Sequence, residues 1–139
     1  YKNKIISENN KQKVFSLATP LLAPMIEEGF INEEISRKII ENYLKNPNLK
    51  NINSLILACT HYPLIQEEIN CFYENKVNVI DSASIIAKNI SKNLKKRNLL
   101  SEKKQPEYIF YVSNFTTSFE KSARFFFQEE IQLKEINPH

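Results

Sequence analysis

The stretch Leu55-Ile56-Leu57-Ala58-Cys59-Thr60-His61-Tyr62-Pro63 decides how this chain is read. A short apolar run ends in a cysteine. Threonine, histidine and tyrosine follow, and a proline opens a polar-faced, helix-like stretch. A run bounded in this way reads as a buried parallel strand. Proline suits the first turn of a helix, where its missing N–H costs nothing. Cys59 is therefore expected at the C-terminal end of a strand, facing a helix N-terminus, which is where open α/β sheets bind ligands. Helix-terminal N–H groups attract carboxylates and lower the pKa of a nearby thiol. A cysteine serving only to pack would sit within the apolar run rather than at its polar edge.

Outward from this stretch the pattern alternates between strands and helices. Residues 1–12 are polar and read as the end of a helix whose start is lost. Residues 14–18 read as a strand, and 20–28 as a short helix or turn. Over 34–44 the spacing puts Ile35, Ile39, Ile40 and Leu44 on one helical stripe. Residues 46–51 form a turn-rich connector, and 55–59 are the central strand. Leu64, Ile65, Ile69 and Phe72 then make the apolar face of the helix opened by Pro63. A strand over 77–80 leads to Asp81 or Ser82, either of which can cap a helix burying Ile86, Ile90 and Leu94. Lys95, Lys96 and Arg97, followed by the charged residues up to Pro106, read as a solvated linker. Residues 108–112 are a fourth strand. Thr117-Ser118-Phe119-Glu120 fits a capping box, with Phe119, Ala123, Phe126 and Phe127 buried behind it. Such alternation predicts an α/β fold: a mainly parallel sheet with helices on both faces and right-handed crossovers.

Composition narrows the function classes. A chain of 139 residues can bury one sizeable core, and 42% hydrophobic with 25% charged residues is ordinary for a globular domain. A net charge of +3 is too small to imply nucleic acid. The single glycine leaves no room for a Gly-rich phosphate loop, which argues against a nucleotide cofactor. Cys59 and Cys71 do not have metal-ligand spacing, so no metal is expected. Cys71 falls on the helix after Pro63 and reads as a packing residue, not a disulfide partner for Cys59. A reducing cytoplasm is the simpler setting. No 18-residue apolar stretch is present, so no membrane partner is expected.

Cys59-Thr60-His61-Tyr62-Pro63 after an apolar strand resembles the second cysteine motif of the glutamate racemases, within the aspartate/glutamate racemase superfamily. The family pattern has Gly where this chain has Ala58. A second match, Ala23-Pro24-Met25-Ile26-Glu27-Glu28-Gly29, resembles the family's Pro-Leu-Val-Glu segment. The separation from the cysteine (59 − 27 = 32) favours Glu27 as the acidic residue, with Glu28 the runner-up. Val79-Ile80-Asp81-Ser82-Ala83 is a weaker, third match. The resemblance runs from near residue 1 to about Phe127 and covers only the later half of a racemase. The family's opening strand, its Asp-Ser-Gly turn and its Cys-Asn-Thr motif do not occur. Because it opens at Tyr1 rather than Met, the chain is expected to be a piece of a longer polypeptide.

The resemblance implies two similar α/β domains with glutamate between them. Residues 1–94 would form most of the second domain and 95–106 a linker. A strand and helix over 107–128 would return to complete the missing N-terminal racemase domain, leaving 129–139 as a tail. Phe119, Phe125, Phe126 and Phe127 would then be partly orphaned. The implied activity is cofactor-independent interconversion of L-glutamate and D-glutamate for peptidoglycan synthesis, with no activity from this portion alone. Racemisation removes a weakly acidic Cα proton from one face and delivers another to the opposite face. Two cysteines serve, because a thiol's reference pKa of ~8.5 lies near neutral pH. Cys59 would be the base acting on L-glutamate, with His61 moving its proton, Glu27 assisting from the same side, and Thr60 binding substrate through its N–H and hydroxyl.

Blander readings compete at each position. A lone cysteine is commonly a small buried hydrophobe. His61 could be a surface residue, Glu27 a solvated one, and Asp81 or Ser82 simply a helix cap. An aspartate racemase-like enzyme and a non-catalytic module holding an acidic ligand are the alternative functions. A homodimer is left open.

Overall fold

A computed structural model describes residues 1–102, 108–127 and 131–137, apart from the side chains of Ser118, Ser122 and Phe125. The apolar run becomes strand β1 (Ser54–Leu57), which ends two residues before Cys59. Helix α4 (Gln66–Phe72) carries the chain back to strand β2 (Asn78–Asp81), and the two strands pair in parallel from Ser54↔Asn78 to Leu57↔Asp81. This is a βαβ unit. Three helices precede it: α1 (Lys2–Glu8), α2 (Leu22–Glu27) and α3 (Glu34–Leu44). Helix α5 (Ser82–Lys96) follows β2. A second parallel pair, β3 (Phe110–Val112) with β4 (Leu133–Glu135), is bridged by α6 (Thr117–Phe127). The α/β character expected from sequence is present, as two separate two-stranded parallel sheets among the described residues.

The core lies where α2, α3, β1 and α4 meet. Leu22, Met25, Ile26, Ile31, Ile40, Leu44, Leu49, Leu57, Ile65 and Ile69 form one buried cluster. Ile65 is wholly buried, and burial of a side chain of that size stabilises by about 1.5–3 kcal/mol. Leu64 and Phe72 pack against this cluster, so the apolar face expected for α4 is the one buried.

Several expectations are corrected. Residues 14–18 form no strand, and Phe15 and Leu17 are exposed; a strand needs a ladder partner, and none pairs there among the described residues. On α3, Ile35 is exposed, and its place inside is taken by Ser36, whose hydroxyl completes a capping box with Glu33. Helix α5 buries none of its residues, and Ile86 and Ile90 stay 56% and 53% exposed, because no layer of the described residues faces them. Lys95 and Lys96 still belong to α5 rather than to a linker, of which residues 103–107 lie outside the described ones. The cap of α6 is Thr116, whose Oγ1 accepts the Phe119 N–H at 3.1 Å, so the box read at Thr117 is one residue late. Phe119, Phe126 and Phe127 are not buried behind it. Cys71 is exposed instead of packed. Strand β4 falls within the segment read as a tail.

The chain's only glycine has a defined task. Gly29, at φ +81°, stops α2. Its N–H donates to the Ile26 carbonyl and that of Phe30 to the Met25 carbonyl, both at 3.0 Å, the paired bonds of a Schellman end. Space is not the reason for glycine there, since an added Cβ would meet nothing within 4 Å. The backbone conformation is. Among the described residues, no helix is long and apolar enough to cross a membrane.

Candidate active site

Strand β1 delivers the chain to a tight turn, Ala58 to His61, before a single 3₁₀ turn over Tyr62–Ile65 leads into α4. Ala58 does not adopt a positive φ, so the family's glycine is not demanded by the backbone here. Cys59 is half-buried. Its Sγ lies 3.5 Å from His61 Nδ1, and His61 Nε2 lies 2.9 Å from Glu27 Oε1. Thiol, imidazole and carboxylate therefore form one line. Glu27 comes from the last residue of α2, far away in sequence, and it is Glu27 rather than the runner-up Glu28 that reaches the ring.

The geometry selects a tautomer. A neutral imidazole donates from one nitrogen and accepts at the other. With the Glu27 carboxylate at Nε2, the proton is drawn there and the Nδ1 lone pair faces the Cys59 sulfur. The ring can then accept the thiol proton, or as an imidazolium donate to a thiolate. Side-chain exposures of 34% for His61 and 60% for Glu27 mean that water screens this line in the chain by itself.

The expected helix N-terminus is largely used up. The Tyr62 N–H donates to the Cys59 carbonyl at 3.3 Å and the Leu64 N–H to the His61 carbonyl at 3.1 Å, while Pro63 has none to offer. The turn itself retains donors, because the N–H groups of Thr60 and His61 have no partner among the described residues. Thr60 is exposed and its hydroxyl makes no hydrogen bond with the described residues.

Asp81 is brought to the end of β2, where it caps α5. Its carboxylate accepts the Ala83 and Ser84 N–H groups at 2.8 and 2.9 Å. Hydrogen bonding from Ser84, side chain first, holds the Asp81 carboxyl below the usual carboxylate range despite its burial. That is the capping role considered for it. Among the described residues, no three His, Cys, Asp or Glu side chains are grouped to hold a metal. Two surface pockets, one lined by Leu21, Ile35 and Tyr43 and the other by Leu44, Pro47 and Phe72, do not include Cys59. Shape alone would have pointed away from the line of reactive groups.

A contact that sequence reasoning missed is the hydrogen bond, 2.5 Å long, between the Tyr62 hydroxyl and Thr19 Oγ1. Nothing local signals it, because 43 residues separate the partners.

No protein-family model matches the chain. It is 38% identical over 122 residues to the glutamate racemase of Aquifex aeolicus, covering 88% of this chain and 45% of that protein. It is 34% identical to the glutamate racemase of Chlorobaculum tepidum, covering 98% of this chain and 50% of that one. Among solved structures, the glutamate racemase of Francisella tularensis in complex with D-glutamate matches with a TM-score of 0.83 at 36% identity, over 98% of this chain and 51% of that one. The chain is thus similar to glutamate racemases along nearly its whole length and spans about half the length of the relatives it matches.

Proposed function

We propose that this chain is the Cys59-bearing, C-terminal half of a cofactor-independent glutamate racemase, interconverting L- and D-glutamate. The observation that carries the proposal is the Cys59–His61–Glu27 line at the C-terminal end of a parallel strand. D-Glutamate is a building block of peptidoglycan, so the role is cytoplasmic supply for cell-wall synthesis. Residues 1–94 belong to the second domain. Helix α5 runs on to Lys96, the residues after it link the two domains, and β3, α6 and β4 return to the first.

In the reaction, the Cys59 thiolate takes the Cα proton of L-glutamate, and a second thiol on the opposite face, from outside this chain, supplies the new one. The reverse direction exchanges the two roles. His61 holds or returns the Cys59 proton through Nδ1, and Glu27 keeps that nitrogen's lone pair turned to sulfur. The Thr60 N–H and hydroxyl hold a substrate carboxylate at the turn.

The test has two arms. The longer polypeptide containing this chain should form D-glutamate from L-glutamate and carry a Cys-Asn-Thr motif ahead of residue 1. The 139-residue chain alone should give no racemisation, since it holds one of the two bases. Turnover by the rigorously purified chain would sink the two-base reading.

A further inference from the structure

Tyr62 has no part in the Cys59–His61–Glu27 line, although it sits between the reactive turn and the helix that follows. We propose that Tyr62 is a positioning residue: its hydroxyl anchors the segment that carries Glu27 and so keeps Glu27 in reach of His61. The inference rests on the reading of Cys59, His61 and Glu27 as one acid–base line.

Helix α2 has six residues and no side-chain cap. A helix so short does not hold itself. Burial of Leu22, Met25 and Ile26 fixes which face turns inward, but an apolar contact is non-directional and tolerates sliding. Register along the helix needs directional ties. One is at the start, where the Tyr62 hydroxyl meets Thr19 Oγ1 at 2.5 Å and the Thr19 carbonyl at 3.5 Å. That same carbonyl accepts the Leu22 N–H at 3.1 Å, so the tie acts on the first turn of α2 itself. Another follows the helix, where buried Glu68 on α4 accepts the Asn32 N–H at 3.1 Å. These two ties come from the stretch just after Cys59, beside a third from α3, where the Tyr43 hydroxyl accepts the Leu21 N–H at 3.2 Å. The segment that presents the thiol thus also grips the helix that presents the carboxylate.

A phenylalanine in place of Tyr62 would fill the same space and lose only the hydroxyl, whose partners are both atoms of Thr19. The test uses the 139-residue chain with exposed Cys71 replaced by serine, so that Cys59 is the sole thiol. Two readouts apply: the His61 tautomer, from ring ¹⁵N shifts where the imidazole is neutral, and the alkylation rate of Cys59 by iodoacetamide. Glu27→Ala should move population from the Nε2–H to the Nδ1–H tautomer. Tyr62→Phe and Thr19→Val should each move it the same way and slow alkylation about two- to tenfold, the range of one net hydrogen bond. Thr19→Ser, which keeps the hydroxyl, should behave as the parent. Combining Tyr62→Phe with Thr19→Val should add nothing to either single change.

Parental tautomer and rate in Tyr62→Phe and Thr19→Val, whatever their melting temperatures, would reduce Tyr62 to a packing residue. An unchanged tautomer in Glu27→Ala would overturn the proposal as well. If Tyr62→Phe does not fold, Thr19→Val decides alone. Neither readout involves glutamate, so this inference can fail while the racemase reading stands, and the reverse.

Discussion

Glu27, closing α2, and His61, in the turn after β1, meet at 2.9 Å through Oε1 and Nε2. The contact orients the imidazole, and orientation is what the proton-transfer role proposed for His61 needs. With Nε2 engaged, Nδ1 is the nitrogen turned to Cys59 Sγ, 3.5 Å away. A histidine without that carboxylate could present either nitrogen to the sulfur.

In the whole enzyme, Glu27→Ala is accordingly expected to lower kcat by about tenfold or more, the scale of a lost hydrogen bond to a charged group. KM should change less, because Glu27 is assigned to the ring and not to substrate. Steady-state kinetics in both directions measure this. A large rise in KM at constant kcat would instead make Glu27 a substrate ligand.

Gly29→Ala should cost about 1–2 kcal/mol, the penalty of a left-handed backbone for a residue with a Cβ. Gly29→Asn should cost less, since asparagine tolerates that region. Urea denaturation of the three proteins checks the order. Equal stability of glycine and alanine would mean that α2 ends differently in solution.

The Asp81 cap makes stability depend on acid. Its carboxyl is held below the ordinary range, so its contribution is present above the unfolded pKa of about 3.9 and is lost as pH falls through the lower native value. Asp81→Ala should therefore cost about 1 kcal/mol at neutral pH. The gap from the parent protein should close in strong acid. A gap that is constant with pH would contradict the assigned cause.

Among the described residues, strands β3 and β4 form a two-stranded pair, with Phe119 and Phe126 each 50% exposed on the helix between them. Such a pair is marginal by itself, and exposed aromatics invite association. Amides of Phe110–Val112 and Thr117–Phe127 should exchange with solvent far faster than those of Glu34–Leu44. Strong protection there in a demonstrated monomer would mean that the chain is self-contained.

What was legible in the sequence is what local pattern dictates. The bounds of α3 follow from its spacing, and the apolar run and Pro63 mark β1 and the turn after it. The apolar stripe of α5 was equally readable, yet Ile86 and Ile90 are exposed, because a stripe records what a helix can bury and not whether a partner layer is there. For the same reason residues 14–18 have strand-like composition without a strand. Strand β4 escaped because Leu133-Lys134-Glu135 offers neither an apolar run nor clear alternation. At the candidate site, Cys59, Thr60 and His61 could be proposed from sequence because they are contiguous. Glu27 came through resemblance and spacing, whereas the Tyr62–Thr19 tie exists only once the chain has folded.

The most direct test of the central claim is isotope exchange at Cα of each glutamate enantiomer by the whole enzyme carrying Cys59→Ser. Serine is a far weaker acid–base group, so turnover should fall by about two orders of magnitude or more, the scale of a lost acid–base catalyst. Glutamate binding should hold, because Thr60 and the turn's N–H groups remain. Exchange from L-glutamate should suffer more than exchange from D-glutamate if Cys59 is the L-side base. Near-normal exchange from L-glutamate would contradict the account and return Cys59 to the ordinary half-buried thiols.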